Sequence, residues 1–449
     1  MESGRRRNHR SHRLDRCPMN RVALSSWTGL PHTRIYPALE VELDAENPFA
    51  QTGATLLARG NGRSYGDVCL PSDTAVLTSR LQRIHSFDTE RGIITAEAGI
   101  ALAALLRITI PRGWTLPVLP GTGAVTVGGA IANDIHGKSH HWAGTFGRWV
   151  RQIELLRSDG RIRCSPCDNA ELLAATIGGL GLTGTITWAE LQLIPCSSAW
   201  METRATRFAT LEEFYDHTRT LEATAEYVVA WCDLSRPGRI SGILSAASFC
   251  NDGQCSVPPT ANERRFPPLP VSVFSRPTVR IANMLYRWLS SRGPSREHYT
   301  TVFFPLDRLP WNRLFGPRGF YQLQAVLPKE CAREGVTAIC ERLWHAKLPV
   351  PLCVLKQFSA IESPGLLSFP MAGTSIALDV PNTNGARDTL RAIIADVVAA
   401  GGRIYPAKDV LMIPAEFQRM YPQWEVLERW RDRRCCSQFW ERVTCGIQS

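Results

Sequence analysis

The segment Pro120–Gly147, PGTGAVTVGGAIANDIHGKSHHWAGTFG, constrains the fold more than any other part of the chain. It contains seven glycines and few long side chains before His136. Glycine at this density indicates backbone that approaches a partner closely or repeatedly adopts positive φ. Backbone N–H groups freed by glycine turns beside a helix start would form a cradle for an anion such as a pyrophosphate. A tight turn in a large domain explains the same residues, and this segment alone leaves both alternatives open.

Two further glycine clusters lie before and after this segment. Arg59–Asp67 reads RGNGRSYGD after an apolar strand end, and Thr176–Gly184 reads TIGGLGLTG after a predicted helix. The central segment is neither GxGxxG after a strand nor GxxxxGK[ST], so a Rossmann site or a P-loop is not indicated. Two arginines in the first cluster favour a phosphate-bearing ligand. We interpret the three clusters as contacts to one extended ligand.

The charge of the chain is concentrated at its start. The 449 residues carry a net charge of +10, and residues 1–21 contain seven arginines. No apolar h-region follows them, so they do not resemble a secretory signal. We predict a disordered basic arm over residues 1–21, with nucleic-acid or anionic-membrane contact as the alternative.

The rest of the composition is typical of a globular protein of two domains or one large composite. No apolar run reaches the roughly 18 residues needed to cross a bilayer. The fourteen cysteines are scattered along the chain. They favour free thiols in a reducing compartment. Cys164 and Cys167 form a lone CxxC, for which zinc or redox chemistry is the alternative to a turn.

Alternation and helical spacing predict the elements around the glycine clusters. Asn169 is expected to cap its helix. The predicted strands are Ala75–Thr78, Ile93–Glu97, Val150–Leu156, Arg161–Cys164 and Ile186–Leu193, and the predicted helices are Ile100–Ile110, Asn169–Ala175, Pro277–Ser291 and Thr389–Ala399.

Together, RGNGRSYGD, PGTGAVTVGGAIANDIHGKSHH and ATIGGLGLTG resemble the FAD-binding domain of the vanillyl-alcohol-oxidase superfamily. Within it, the chain is similar to the flavoprotein oxidase subunits of decaprenylphosphoryl-ribose 2′-epimerases. The resemblance runs from about Leu24 to Tyr421, and the segment from Arg431 onward departs from the family's pattern. In the second half it rests on Tyr227–Trp231, Phe303–Asp307, Trp311–Arg313, Gly319–Gln324, Val354–Lys356, Ser368–Pro370 and Tyr405–Asp409.

The resemblance implies an α+β fold with a two-part PCMH-type FAD-binding domain and an inserted antiparallel-sheet substrate domain. We expect the FAD-binding domain at 22–196, the substrate domain at 197–400 and a C-terminal return to the FAD domain at 401–449. The proline-rich segment Ser256–Pro277 is predicted to be a mobile loop.

Non-covalent FAD is implied, because Gly62-Arg63-Ser64 stands where some relatives carry the tethering histidine. No metal site is expected. The implied cofactor contacts are Arg59, Gly60, Asn61, Gly62, Arg63, Ser64, Tyr65, Gly121, Thr122, Thr126, Gly128, Gly129, Ala132, Asn133, His136, Gly137, Lys138, His141, Gly179, Gly181, Thr183, Gly184 and Ile186.

The family's activity implies oxidation of a secondary sugar hydroxyl to a ketone, on a polyprenyl-phosphoryl pentose. Lys408 is the first candidate to position the hydroxyl or to stabilise charge on the reduced flavin, followed by Tyr405, His136 and Tyr65. The alternative is that His136 is a buried histidine bonded to a loop carbonyl. Substrate contacts are expected from Lys138, Trp231, Gln322, Gln324, Lys356, Asp379 and Lys408.

Two other functions remain open at this point. A sugar-1,4-lactone or alditol oxidase shares the flavin domain, and a non-catalytic flavin-binding scaffold would keep it without turnover. A separate NAD(P)H-dependent short-chain reductase would be needed to return the ketone, and no nucleic-acid partner is expected. We expect a cytoplasmic protein, associated with the inner face of the membrane if the helix Pro277–Ser291 lies on lipid. The alternative is that this helix packs on its own domain.

Overall fold

The computed structural model describes residues 20–44, 47–257, 269–290 and 293–444 and shows an α+β fold. The first strand begins at Asn20, two residues before the predicted start of the folded part. The strands are β1 Asn20–Leu24, β2 Arg34–Glu40, β3 Leu56–Arg59, β4 Thr74–Leu77, β5 Ile84–Asp88, β6 Ile93–Glu97, β7 Trp114–Thr115, β8 Val150–Arg157, β9 Gly160–Cys164, β10 Thr185–Gln192, β11 Ile194–Pro195, β12 Trp200–Phe208, β13 Tyr227–Asp233, β14 Ser241–Phe249, β15 Ser295–His298, β16 Phe320–Pro328, β17 Leu352–Phe358, β18 Gly373–Pro381 and β19 Arg403–Ile404.

The helices connect and cover these strands. Among the described residues, none of them is long and apolar enough to span a bilayer. The helices are α1 Pro48–Gln51, α2 Leu102–Thr109, α3 Val127–Ala132, α4 His140–Ala143, α5 Ala170–Thr176, α6 Leu211–Glu222, α7 Arg276–Leu289, α8 Tyr299–Phe303, α9 Ala332–His345, α10 Ala386–Ala399, α11 Pro414–Met420, α12 Trp424–Trp430 and α13 Gln438–Thr444.

The amino-terminal half contains two sheets that carry the glycine clusters. One has the order β1-β2-β4-β3, with β2, β4 and β3 parallel, and the other is antiparallel with the order β5-β6-β10-β8-β9. The first glycine cluster leaves the end of β3, and the third lies between α5 and β10. The short helix α3 contacts both β6 and β10. All three glycine clusters therefore start from rigid elements of this half.

The carboxyl-terminal half is built on an eight-stranded antiparallel sheet of order β15-β12-β14-β13-β17-β18-β16-β19. Helices α6, α9 and α10 pack their apolar sides on it, and residues such as Phe214, Ile339 and Ile393 join one large core. The last strand, β19, lies beyond the expected domain end at residue 400. The proposed boundary therefore falls inside the sheet, while the other domain limits stay predictions.

Most predicted elements are present with ends shifted by one to three residues, and β6 has the predicted bounds. The predicted cap is wrong. Asn169 precedes α5 in the left-handed region with φ 55°, and its side chain makes no cap bond. Its amide donates to the carbonyl of Arg163 at 2.8 Å instead. A capping side chain normally reaches the helix amides from extended backbone, which Asn169 does not have. Half of the predicted mobile loop, residues 258–268, lies outside the described residues.

Candidate active site

A cavity separates the glycine clusters from the eight-stranded sheet. Its empty volume is about 1330 Å³, including the part open to solvent. Residues from all three clusters line it, as expected for one extended ligand. The predicted cofactor residues on its wall are Arg59, Gly60, Asn61, Gly62, Arg63, Ser64, Tyr65, Gly121, Thr122, Thr126, Gly128, Gly129, Ala132, Asn133, His136, Gly181, Gly184 and Ile186. Sequence reasoning missed the apolar and small wall residues Ala58, Val68, Cys69, Thr78, Ala98, Pro120, Val125, Ile135, Leu180, Leu306 and Ala407. Six of them lie within the family motifs, but their side chains carry no polar group that would indicate a ligand contact.

The loop after β3 presents a run of free amides to this cavity. In the described part of the chain, no oxygen accepts from the backbone N–H groups of residues 60–64. Arg59 fixes the loop from beneath, since its guanidinium donates to the carbonyls of Ser25 and Cys69 at 2.7 Å each. Gly62 has φ +59°, and a Cβ there would lie 2.3 Å from the Arg59 guanidinium. Consecutive free amides in a loop form a concave anion site.

The start of α3 differs from the prediction. The N–H of Gly128 donates to the carbonyl of Ala98 at 2.8 Å, and that of Gly129 donates to the Thr126 hydroxyl at 3.2 Å. These two amides are used within the protein, so the anion cradle predicted beside this helix start is not formed by them. Glycine serves close packing here, because a Cβ on Gly128 would lie 3.0 Å from the Cβ of Ala98 and 3.2 Å from its carbonyl oxygen. Across the interface, a Cβ on Gly60 of the first loop would lie 2.4 Å from the Thr126 hydroxyl oxygen. The central segment thus supports the first loop.

Five predicted cofactor residues lie off the cavity wall, because each has a partner elsewhere. Lys138 donates to the carbonyl of Val302. The His141 ring bonds the carbonyl of Ala225 at 3.0 Å, and the Thr183 hydroxyl lies 2.9 Å from that of Thr176. Gly137 and Gly179 are tight backbone positions, where a Cβ would lie 2.6 Å from the Leu119 carbonyl oxygen and 2.0 Å from the Ala175 carbonyl oxygen respectively.

The sheet side of the cavity carries polar side chains. The strand register pairs Gln322 with Asp379 and Lys356 with Ser375, so the predicted substrate residues on β16, β17 and β18 share one face, as expected. Gln324 and Lys356 reach the cavity wall. The Gln324 amide lies 2.7 Å from Nε2 of His136.

Gln322, Asp379 and Trp231 do not reach the cavity wall. Gln322 and the indole of Trp311 both donate to the Asp379 carboxylate, the indole at 2.6 Å. Burial raises the pKa of Asp379 to about 6, against the effect of these hydrogen bonds and of Lys408. Trp231 lies three strands away from Gln324 in the sheet, and its ring packs 4.6 Å from that of Tyr286 on α7. Asp379 therefore orients its neighbours from beneath the wall.

Lys408 and Tyr65 meet at the centre of the site. The Lys408 amine lies 3.1 Å from the centroid of the Tyr65 ring. No carboxylate lies within salt-bridge distance of this amine in the described residues. Burial lowers the pKa of Lys408 well below its usual value, and Lys356 lowers it further, while Asp379 opposes both effects. The lysine is therefore driven towards the neutral amine.

The other titratable groups at the wall respond to the same burial. Burial lowers the pKa of Lys356 to about 8. The pKa of His136 falls well below its usual value because of burial and the nearby Lys356, His140 and Lys408. His136 is therefore a neutral imidazole. With the Gln324 amide donating to Nε2, the ring proton is assigned to Nδ1. Tyr405 also lines the cavity, and its hydroxyl donates to the carbonyl of Asn133 at 2.8 Å.

An ion-pair cluster that the sequence did not indicate joins the two sides of the site. Arg442 of α13 donates to both carboxylate oxygens of Asp67 at 2.8 Å and to Asp409 at 3.0 Å. Asp67 follows the free-amide loop, and Asp409 follows Lys408. Both acids are buried. The segment that departs from the family's pattern therefore contributes a positioning residue. No local motif marks it, because its partners Asp67 and Asp409 lie 375 and 33 positions away.

Three buried polar atoms of the wall test whether FAD fits. Arg63 Nε, Asn133 Oδ1 and His136 Nδ1 have no hydrogen-bond partner among the described residues. Buried polar atoms are nearly always satisfied, so these indicate a polar molecule between them. A dinucleotide with a pyrophosphate for the amide loop and a heterocycle for the sheet side matches this donor set.

Comparison with known proteins agrees with this geometry. Residues 36–165 match the family described as FAD binding domain. The chain is 34% identical over 391 residues to the decaprenylphosphoryl-beta-D-ribose oxidase of Mycolicibacterium smegmatis, covering 83% of this chain and 84% of that protein. It is 24% identical over 432 residues to the L-gulono-1,4-lactone dehydrogenase of Mycobacterium tuberculosis, covering 91% of this chain and 95% of that protein. It is 34% identical over 116 residues to human Delta(24)-sterol reductase, which covers only 26% of this chain and 22% of that protein.

Proposed function

The chain belongs to the family of FAD-dependent oxidoreductases that includes decaprenylphosphoryl-beta-D-ribose oxidase, and from this premise we propose that it oxidises the 2′-hydroxyl of a polyprenyl-phosphoryl-β-D-ribose to a ketone. Such an activity would serve arabinose-donor or cell-envelope glycan synthesis. The observation that carries the proposal is the partly buried Lys408 amine, which lies against Tyr65 on the cavity wall without a salt bridge among the described residues. A lysine in a cavity with a lowered pKa and no paired acid is typical of a catalytic group.

The cofactor would be held without a covalent bond. The free amides of residues 60–64 would bind its pyrophosphate, and Gly62-Arg63-Ser64 offers no histidine or cysteine as a tether. Cys69 also lines the cavity, but its thiol accepts from Arg59 at 3.3 Å and burial raises its pKa, so a nucleophilic thiolate is disfavoured. We expect acid or heat to release all of the FAD, and yellow precipitated protein would contradict this.

Bound FAD would supply the hydride acceptor for the carbinol carbon. The neutral Lys408 amine would accept the hydroxyl proton as the carbonyl forms, which replaces the fixed cation expected from the sequence. Because burial lowers its pKa, the amine is unprotonated and can accept a proton. The substrate hydroxyl would then be its hydrogen-bond partner. Tyr65 fixes the lysine from one side. The Lys408 side chain therefore both positions the hydroxyl and moves its proton.

The substrate would be bound by the sheet side of the cavity. Lys356, whose pKa is about 8, is charged at neutral pH and can attract the phosphoryl group. Neutral His136, held by Gln324, offers an Nδ1–H to the sugar. Net epimerisation would require a separate NAD(P)H-dependent short-chain reductase to reduce the ketone.

Anaerobic bleaching of the flavin tests the proposal. Purified protein is mixed with a polyprenyl-phosphoryl-ribose, a sugar 1,4-lactone or an alditol, and its visible spectrum is followed. We expect bleaching with the first substrate only. Bleaching with the lactone would favour the alternative that the relative of 24% identity suggests. A flavin that no substrate bleaches would favour a non-catalytic scaffold.

A further inference from the structure

Helix α7 turns a polar side towards its own protein. Its buried residues are Val279 and Asn283, 3% and 5% exposed. The Asn283 amide donates to the carboxylate of Asp233 on β13 at 2.8 Å, and the Arg287 guanidinium donates to the Ser241 hydroxyl at 2.7 Å. The helix therefore packs on its own domain, through these hydrogen bonds and buried Val279 rather than through the apolar face that its spacing predicts.

The apolar side of α7 points outward. Four residues form a continuous stripe at helical spacing, which we call the outward stripe: Ile281, Met284, Leu285 and Leu289, 61%, 64%, 53% and 51% exposed. A helix on the surface of a globular domain normally buries such a stripe. A contiguous exposed apolar surface marks an interaction site. Val271, 68% exposed, extends the apolar surface before the helix.

The charge of α7 identifies the kind of partner. Arg276–Leu289 contains three arginines and no acidic residue. Arg276 and Arg280 are exposed beside the outward stripe. An apolar stripe flanked by arginines matches an anionic lipid surface, where arginines meet headgroups and apolar side chains enter the interface. A second copy paired by two-fold symmetry would bring the same arginines together, which disfavours it.

The position of α7 connects the outward stripe with the cavity. Trp231 pairs with Val354, Val354 with Ala377 and Ala377 with Gln324, so these residues form one row on one face of the sheet. At one end of the row Trp231 packs against Tyr286 of α7, and at the other end Gln324 lines the cavity. Three strand spacings separate the ends, about 14 Å.

We propose that the outward stripe docks the protein on an anionic bilayer surface, with the cavity wall at Gln324 three strands away from the helix contact at Trp231. The reason for docking rests on the proposed function: a substrate whose prenyl chain lies in the membrane could then present its sugar to Lys408. The docking itself depends on α7 alone.

Vesicle binding by the full chain tests the proposal. Co-sedimentation is measured with phosphatidylcholine vesicles with and without phosphatidylglycerol. The double variant Ile281→Ser/Leu285→Ser should bind on the order of 100-fold more weakly, because two apolar side chains no longer leave water. Arg280→Gln should bind vesicles that contain phosphatidylglycerol about fivefold more weakly, and its binding to vesicles without phosphatidylglycerol should not change. The matched control Ile35→Ser removes an apolar residue that is 70% exposed on β2 and should bind as the wild type does.

Three outcomes would overturn the proposal. The double variant could bind vesicles as well as the wild type, which would assign binding to another surface such as the basic residues 1–21. Hydrogen exchange in the wild type could show no protection of 276–289 on vesicles, a result that needs no variant. Sedimentation velocity without lipid could show self-association that the double variant abolishes, which would make a second copy the occupant. The proposed function is judged separately, by flavin bleaching with a water-soluble short-prenyl analogue.

Discussion

The two walls of the cavity present different groups. The glycine wall presents the free backbone amides of the loop after β3, and its charged side chains in the described residues are Arg59 and Arg63. The sheet wall presents Lys356 and Lys408, whose pKa values are both lowered by burial. Backbone amides on a fixed loop hold their dipoles in place whatever the pH. Buried lysines change their charge, and so suit a reaction in which a proton moves.

A second contrast lies within the glycine wall. The amides of residues 60–64 are free, whereas those of Gly128 and Gly129 already have acceptors. High glycine content therefore accompanies free amides in one loop and amides bonded within the protein at the start of α3. The predictions below change one wall at a time, so that effects on FAD and on turnover can be separated.

The largest effect is expected from Lys408→Met on the sheet wall. Removing a preorganised catalytic group costs on the order of 100-fold or more in rate. Stopped-flow bleaching at saturating substrate should show this loss with FAD content unchanged. Lys329→Met, at an exposed lysine, is the matched control and should bleach at the wild-type rate. Equal rates for both variants would move the role to Tyr405 or His136.

Gly62→Ala on the glycine wall should weaken FAD binding about tenfold or more. The position has φ +59°, and the new methyl group would lie 2.3 Å from the Arg59 guanidinium that fixes the loop. Left-handed backbone costs a non-glycine residue roughly 1–2 kcal/mol even without that contact. Flavin fluorescence on dilution measures the dissociation constant. A variant with wild-type affinity would show that this loop does not hold the cofactor.

Lys356 should make substrate binding depend on pH. Its pKa is about 8, so it carries its charge below that value and loses it above. The KM for an anionic phosphoryl substrate should therefore rise about tenfold at most between neutral and alkaline pH, by loss of one charge–phosphate contact. Lys356→Met should have a high KM that is flat over the same range. A pH-dependent KM in this variant would assign the titration to another group.

Gly129→Ala should have the smallest effect, within about threefold on FAD affinity. A Cβ at this position meets only the Thr126 hydroxyl, at 3.1 Å, and the N–H is already bonded. Alanine also suits the interior of a helix better than glycine does. Gly129→Val, which adds branched bulk to the cavity wall, should lose the flavin while the fold persists. Loss of FAD in the alanine variant would mean that both glycine regions bind it directly.

Local patterns sufficed for much of this architecture. Alternation located β6 within its observed bounds, and glycine density located the loops that meet at the cavity. Both signals reflect short-range constraints, since strand pleating and close backbone approach act on neighbouring residues.

Other features could not be predicted, because they depend on distant partners. Whether the N–H of Gly128 is free is decided by Ala98, thirty residues earlier and on another element. The apolar spacing of α7 was visible in the sequence, but the side that faces the protein is set by Asp233, fifty residues before Asn283. Asp379 was expected to touch substrate, whereas Gln322 and Trp311 occupy its carboxylate.

The ion pairs of Arg442 have a consequence for biosynthesis. Arg442 lies 375 residues after Asp67, so the flavin loop leaves the ribosome long before the residue that fixes it. Until then the buried Asp67 and Asp409 face each other without their cation, which disfavours closing the site. If the loop after β3 holds FAD as proposed, we expect stable loading of the cofactor to follow translation of α13, and a nascent chain stalled before this helix to lack FAD.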